Sequence, residues 1–104
     1  MVIQERMPVA VNKTLDRYFQ TSILKTFDHI CQKCFFKGDT VITHHIIHRT
    51  NPKLRHDARN GIPLCLECHT FAHKEPRKFN EWVSDWLKRN YCITYEDLKR
   101  LSNQ

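Results

Sequence analysis

Apolar residues near the C-terminus recur at Phe79, Trp82, Val83, Trp86 and Leu87, the spacing that lines one face of a helix. This stripe predicts a helix packed into a core against an N-terminal helix. A base-stacking platform or partner surface is the weaker reading, because so short a chain has few other large apolar residues to bury. The N-terminal helix is predicted from Asn12, its candidate N-cap, to about Lys25, with Leu15, Tyr18, Phe19, Ser22 and Ile23 along one face. At the other end, Thr94-Tyr95-Glu96-Asp97 is a near capping box that opens a short helix through Leu98 and Leu101.

Between these helices the pattern is no longer helical. The segment "ICQKCFFKGD" sets two cysteines around a tight turn, and Gly38-Asp39 makes a second turn before a β-branched strand from Thr40 to His45. Residues 46–60 hold little apolar material after Ile47 and predict a long loop around Asn51-Pro52. "GIPLC" predicts a short return strand, and "LECHTFAHKE" a helix with His69 and His73 four apart on one face. There is no repeat, no low-complexity tract and no Gly/Ser linker. One α+β domain over residues 1–104 is expected, with a core at 31–75 and helical flanks at 10–27 and 77–101.

A domain of 104 residues buries only about 60–65% of its unfolded surface, and small folds with thin cores commonly add a metal or disulfides. Five cysteines and seven histidines supply the means. No apolar run reaches the ~18 residues of a membrane span, and the N-terminus, with Glu5 and Pro8, lacks the apolar stretch and cleavage site of a secretory signal. The expectation is an intracellular protein whose cysteines are metal ligands, and the odd count agrees. Cys31-x-x-Cys34 and Cys65-x-x-Cys68 form two matched pairs that can bring four thiolates to one tetrahedral zinc. A redox role for one pair would not require the other. Cys92 has no partner at that spacing and is expected to be a small buried side chain, while His29 and His56 are expected to be structural or solvated. A net charge of +6, from 17 Lys and Arg against 11 Asp and Glu, favours a polyanionic partner.

The remaining histidines fall in a definite order: His44-His45, then Asn60, then His69 and His73, interleaved with the cysteine pairs. Over Cys31 to His73, including "NGIPLCLECHTFAH", the chain resembles the HNH (ββα-metal, His-Me finger) endonuclease family. Its histidine spacing is similar to that of the colicin-type DNases, and its cysteine pairs to the zinc-braced phage and bacterial branch. The resemblance implies a small ββα-metal core with a four-cysteine structural zinc site, flanked by N- and C-terminal helices. It implies that His44, His69 and His73 converge on one catalytic divalent ion. His45, pointing to the other face of its strand, would be the general base that activates water. Asn60 would orient the loop backbone or His45 itself. Two departures stand out: His48 occupies a position where double-histidine members often carry proline, and many members have an acidic residue in place of His44. Of zinc, nickel, manganese and magnesium, an all-imidazole set favours a transition metal and would use magnesium poorly.

In the arrangement the resemblance implies, the loop between the two strands would sit beside the metal, where Arg49, Lys53, Arg55 and Arg59, opposed by Asp57, would contact DNA phosphates, with Lys74, Arg77 and Lys78 extending that surface. The function expected is hydrolysis of DNA phosphodiester bonds by a one-metal mechanism, in the cytoplasm of a bacterial or phage-infected cell. The substrate would be non-specific or structure-selective DNA. Targeting would come from a protein partner, and the chain would act as a monomer or homodimer. The rival is a non-catalytic zinc module that binds nucleic acid or protein; it needs the four cysteines and has no use for His45.

Overall fold

The computed structural model describes residues 9–103. Helix α1 (Val9–Thr26) leads through the first cysteine turn to strand β1 (Ile42–His45). A long loop closed by a 3-10 turn (Ala58–Asn60) returns the chain as strand β2 (Gly61–Leu64). Helices α2 (Leu66–Lys74), α3 (Pro76–Tyr91) and α4 (Tyr95–Ser102) follow. The result is α+β, two antiparallel strands and a helix with further helices on either side, as expected. No helix among the described residues is long and apolar enough to cross a membrane.

The strands pair in a register that sets His44 opposite Ile62 and His45 opposite Gly61. All four residues of β2 are buried, because both faces of the ribbon are covered. Helix α1 packs on both strands, while α2 packs on β2, α3 on α2, and α4 on α3. Gly61 makes the α1 packing feasible: a Cβ there would lie 2.7 Å from Cζ of Phe19 and 3.0 Å from Cγ1 of Ile23. Thr43 adds a polar tie by donating its hydroxyl to the Gln20 carbonyl at 3.0 Å.

The C-terminal stripe is buried as its periodicity predicts: Phe79, Val83, Trp86 and Leu87 are enclosed, with Trp82 at the margin. Each such side chain contributes roughly 1.5–3 kcal/mol. Its main partners are α2 and α4 and not α1, whose own buried residues, Phe19 and Ile23, are spent on the strands. Phe27, just past α1, reaches Trp86, with ring centroids 5.5 Å apart. Glu75-Pro76 divides α2 from α3, since proline cannot donate its amide and fits the first turn of a helix. The capping box of α4 is complete, with Thr94 accepting from the Asp97 amide and Asp97 from that of Thr94.

Several expectations need correction. Helix α1 is already under way at Val9, so Asn12 lies inside it and is not its cap. Tyr18, at 73% exposure, is off the buried face. The long loop, poor in apolar residues after Ile47 as expected, contributes Leu54 to the core. Cys92 is exposed: it ends α3 in the left-handed conformation (φ 57°, ψ 29°), its amide donating to the Lys88 carbonyl.

Candidate metal and catalytic centre

The four paired cysteines converge. One sulfur from each of Cys31, Cys34, Cys65 and Cys68 lies within 4.8 Å of the others, and Cys34 Sγ is 3.5 Å from Cys65 Sγ. Tetrahedral Zn–S bonds of about 2.3 Å would set neighbouring sulfurs about 3.8 Å apart, so the donor set fits zinc. The first pair sits in a tight turn in which the Cys31 amide donates to the Phe36 carbonyl and the Phe35 amide to the Cys31 carbonyl. Phe35 takes a positive φ of 67° to close it. The second pair opens α2, where Cys65 is the N-cap and its sulfur accepts from the Cys68 amide. Burial pushes the Cys31 thiol up, but the surrounding amides of Cys34, Cys65 and Lys33 bring it down to about 7, whereas burial and the neighbouring thiols push Cys68 up. Lys33 Nζ lies over the rings of Phe71 and Trp82, and Trp86 donates its indole N–H to Gln32, so the turn is tied to α2 and α3.

A second cluster joins β1 to α2. Ring nitrogens of His44, His69 and His73 lie within 4.8 Å of one another, and Nε2 of His69 is 3.1 Å from Nε2 of His73. Two imidazoles bound to one ion at about 2.0–2.1 Å, at the tetrahedral angle, would hold their nitrogens about 3.3 Å apart. The set therefore fits a divalent metal, and the i, i+4 spacing on α2 is what brings the two helix imidazoles together. Phe79 of α3 stands edge-on to His44, its ring centroid 5.4 Å away. Burial above all, then the neighbouring histidines, pushes His44 down to about 3, and burial lowers His69 as well. Both effects keep the nitrogens unprotonated, as ligands must be.

His45 faces the other way. Its ring stacks on Phe19 of α1, centroids 4.8 Å apart and planes 20° from parallel. Its Nε2 is 2.9 Å from the Arg55 carbonyl, so that nitrogen carries the proton and donates it, leaving Nδ1 with the free lone pair. Burial lowers its basicity, opposed by the Arg55 carbonyl.

Asn60, completely buried, staples the loop. Its Oδ1 accepts from the Ile47 amide at 2.6 Å, and its Nδ2 donates to the carbonyls of Ile47 and Leu54 at 2.9 and 3.0 Å. Of its two expected roles, these bonds fit the one towards the loop backbone. His48 is exposed and turns its Nδ1 to Thr50, whose amide donates to it. Among the loop cations, Arg49 and Lys53 are exposed with no ion pair among the described residues, whereas Arg55 binds Asp16 through two nitrogens and Arg59 binds Asp57.

The contribution of α1, through Asp16 and Phe19, had no signature in the sequence, nor did the contact it makes with the loop residue His56, whose Nε2 lies 2.7 Å from Asp16 Oδ1. Asp16 and Arg55 are 39 positions apart and share no motif. Gly61 did offer a signal, since a glycine in a strand marks close backbone approach.

Residues 31–75 match the family model described as HNH endonuclease. Neither the curated proteins nor the solved structures gave a match. The matched span begins at the first zinc-type cysteine, takes in both strands and the histidine cluster, and ends just past α2. Residues 31–75, less than half of the 104-residue chain, are thus similar to the HNH endonuclease family, and that segment holds four cysteines positioned for a bracing zinc.

Proposed function

We propose that this domain is a metal-dependent endonuclease that hydrolyses DNA phosphodiester bonds by a one-metal mechanism, with His45 as general base. The observation that carries this reading is the division of the histidines. Three offer nitrogens to a common point, while the fourth, adjacent in sequence, is excluded from that set and held with one nitrogen tied and the other free.

His44, His69 and His73 would hold the divalent ion. When bound, the ion supplies Lewis-acid charge to the scissile phosphate and the departing 3′ oxygen. His45 Nδ1 takes the proton from the attacking water as the oxygen–phosphorus bond forms. The bond from Nε2 to the Arg55 carbonyl fixes the tautomer that leaves Nδ1 basic, and it disperses the positive charge that develops on the ring. Asn60 acts in support by holding the loop that bears this carbonyl. Arg49 and Lys53 are suited to contact phosphates beside the cut; Arg59 retains guanidinium donors beyond the two engaged with Asp57. Four thiolates on zinc would stabilise the scaffold and take no part in the chemistry.

The test is nicking of supercoiled plasmid by wild type and His69→Ala in EDTA and then with magnesium, manganese, nickel or zinc at low salt. Wild type is expected to be silent in EDTA, to cut with a transition metal and to use magnesium poorly. His69→Ala is expected to lose at least about 100-fold in rate. Undiminished cutting by His69→Ala, or by wild type in EDTA, would remove the histidine cluster from the mechanism.

A further inference from the structure

We infer that α1 is a working part of the catalytic centre, with Asp16 and Phe19 as positioning residues for the His45 imidazole. This inference rests on the reading of His45 as the base. Both α1 residues lie outside the span matched by the HNH family model.

The carbonyl that fixes His45 belongs to the Arg55–His56 peptide unit. The side chains on both sides of that unit are anchored to one carboxylate. Asp16 receives Arg55 Nε at 2.9 Å and Nη2 at 2.7 Å, and its Oδ1 also lies 2.7 Å from His56 Nε2. The peptide plane is thereby clamped from both ends, and the direction of its C=O is set. Three residues along α1, Phe19 lies flat on the His45 ring and edge-on to His56, at 4.8 and 6.3 Å between centroids. A hydrogen bond at one nitrogen leaves an imidazole free to tilt about that bond; a stacked ring removes this freedom. Helix α1 is itself located by the close approach at Gly61 and by the bond from Thr43, one position before His44 on β1.

An apolar contact would serve stability alone at least as well. The Asp16 and Arg55 side chains are only 18% and 26% exposed, and an ion pair withdrawn from water recovers little net energy. What the pair contributes is direction. For a base that must meet a water on the line of attack, misplacement of about 1 Å can cost on the order of 100-fold in rate.

The experiment uses the full chain with zinc bound. Side-chain proton–nitrogen NMR spectra assign the His45 tautomer in wild type, Asp16→Ala and the isosteric Asp16→Asn, which keeps the proposal testable if the alanine variant does not fold. Plasmid-nicking kinetics are measured on the same samples and on Arg55→Ala and the Asp16→Ala/Arg55→Ala double variant. Wild type is expected to show the Nε2–H form, and the Asp16 variants a mixture. Their kcat is expected to fall about 10- to 100-fold with KM for DNA within about twofold, and the double variant to be no worse than either single one. A folded Asp16→Asn protein with the wild-type tautomer and undiminished kcat would overturn the inference, as would a loss confined to KM, which would make Arg55 a phosphate contact. If wild type does not cut at all but its His45 tautomer still depends on Asp16, the nuclease reading falls and the clamp stands.

Discussion

His45 can act as a base only while Nδ1 is unprotonated, and its burial beneath Phe19 moves its pKa below the ordinary 6.5. His44 and His69 shift in the same direction. Because each folded value is lowered, the neutral forms persist above pH 6.5 and are lost only as the pH falls below it. The rate of DNA cleavage should therefore be level around neutrality, with its acid limb below pH 6.5; a limb centred above 6.5 in a pH–rate profile would contradict the burial argument. Alanine at position 60 strands the half-buried amide and carbonyl of Ile47 and the buried carbonyl of Leu54, so Asn60→Ala should cost about 2–4 kcal/mol in urea unfolding and loosen the loop that carries the Arg55 carbonyl.

Each face of the ribbon has its own helix, and this is how adjacent histidines come to meet different partners. His44 meets α2 and α3, while His45 meets α1. Gly61→Ala should force Phe19 aside, costing about 1–3 kcal/mol of stability and a larger share of activity than of binding to DNA. Equal thermal melting and equal cleavage in the variant would mean that the α1 contact is not needed. The sequence made the α3 stripe, the return strand and the two helix histidines legible, because each is a short-range pattern: a 3.6 period, a turn-bounded apolar run, an i, i+4 pair. It did not reveal which helix packs where. The stripe of α3 gives no sign of whether α1 or α4 will cover it, and the start of α1 at Val9 overrode the local capping preference of Asn12. Asp16 was illegible for the same reason: its partners lie 39 and 40 positions away, and it gains meaning only when α1 closes on the loop.

Across the whole molecule, the cysteine centre ties the turn before β1, where the matched span begins, to the start of α2. Structural zinc contributes about 10–16 kcal/mol to folding in small domains, comparable with the ~5–15 kcal/mol that keeps a whole domain folded. Cys65→Ser should therefore unfold the chain, read by circular dichroism; a soluble variant with unchanged melting would count against the zinc brace. His45→Ala should instead leave the fold and both metal clusters in place. On the proposed reading, the His45 imidazole is what lets this metal-binding domain cut DNA. The decisive measurement is plasmid nicking with wild type and His45→Ala, each verified as folded and loaded with the same metal, with binding to the same DNA followed by gel shift. Both proteins are expected to bind, and only wild type to cut. If both bind and neither cuts, or if His45→Ala cuts as fast as wild type, the catalytic assignment is wrong; in the first case the domain is a zinc-stabilised binding module.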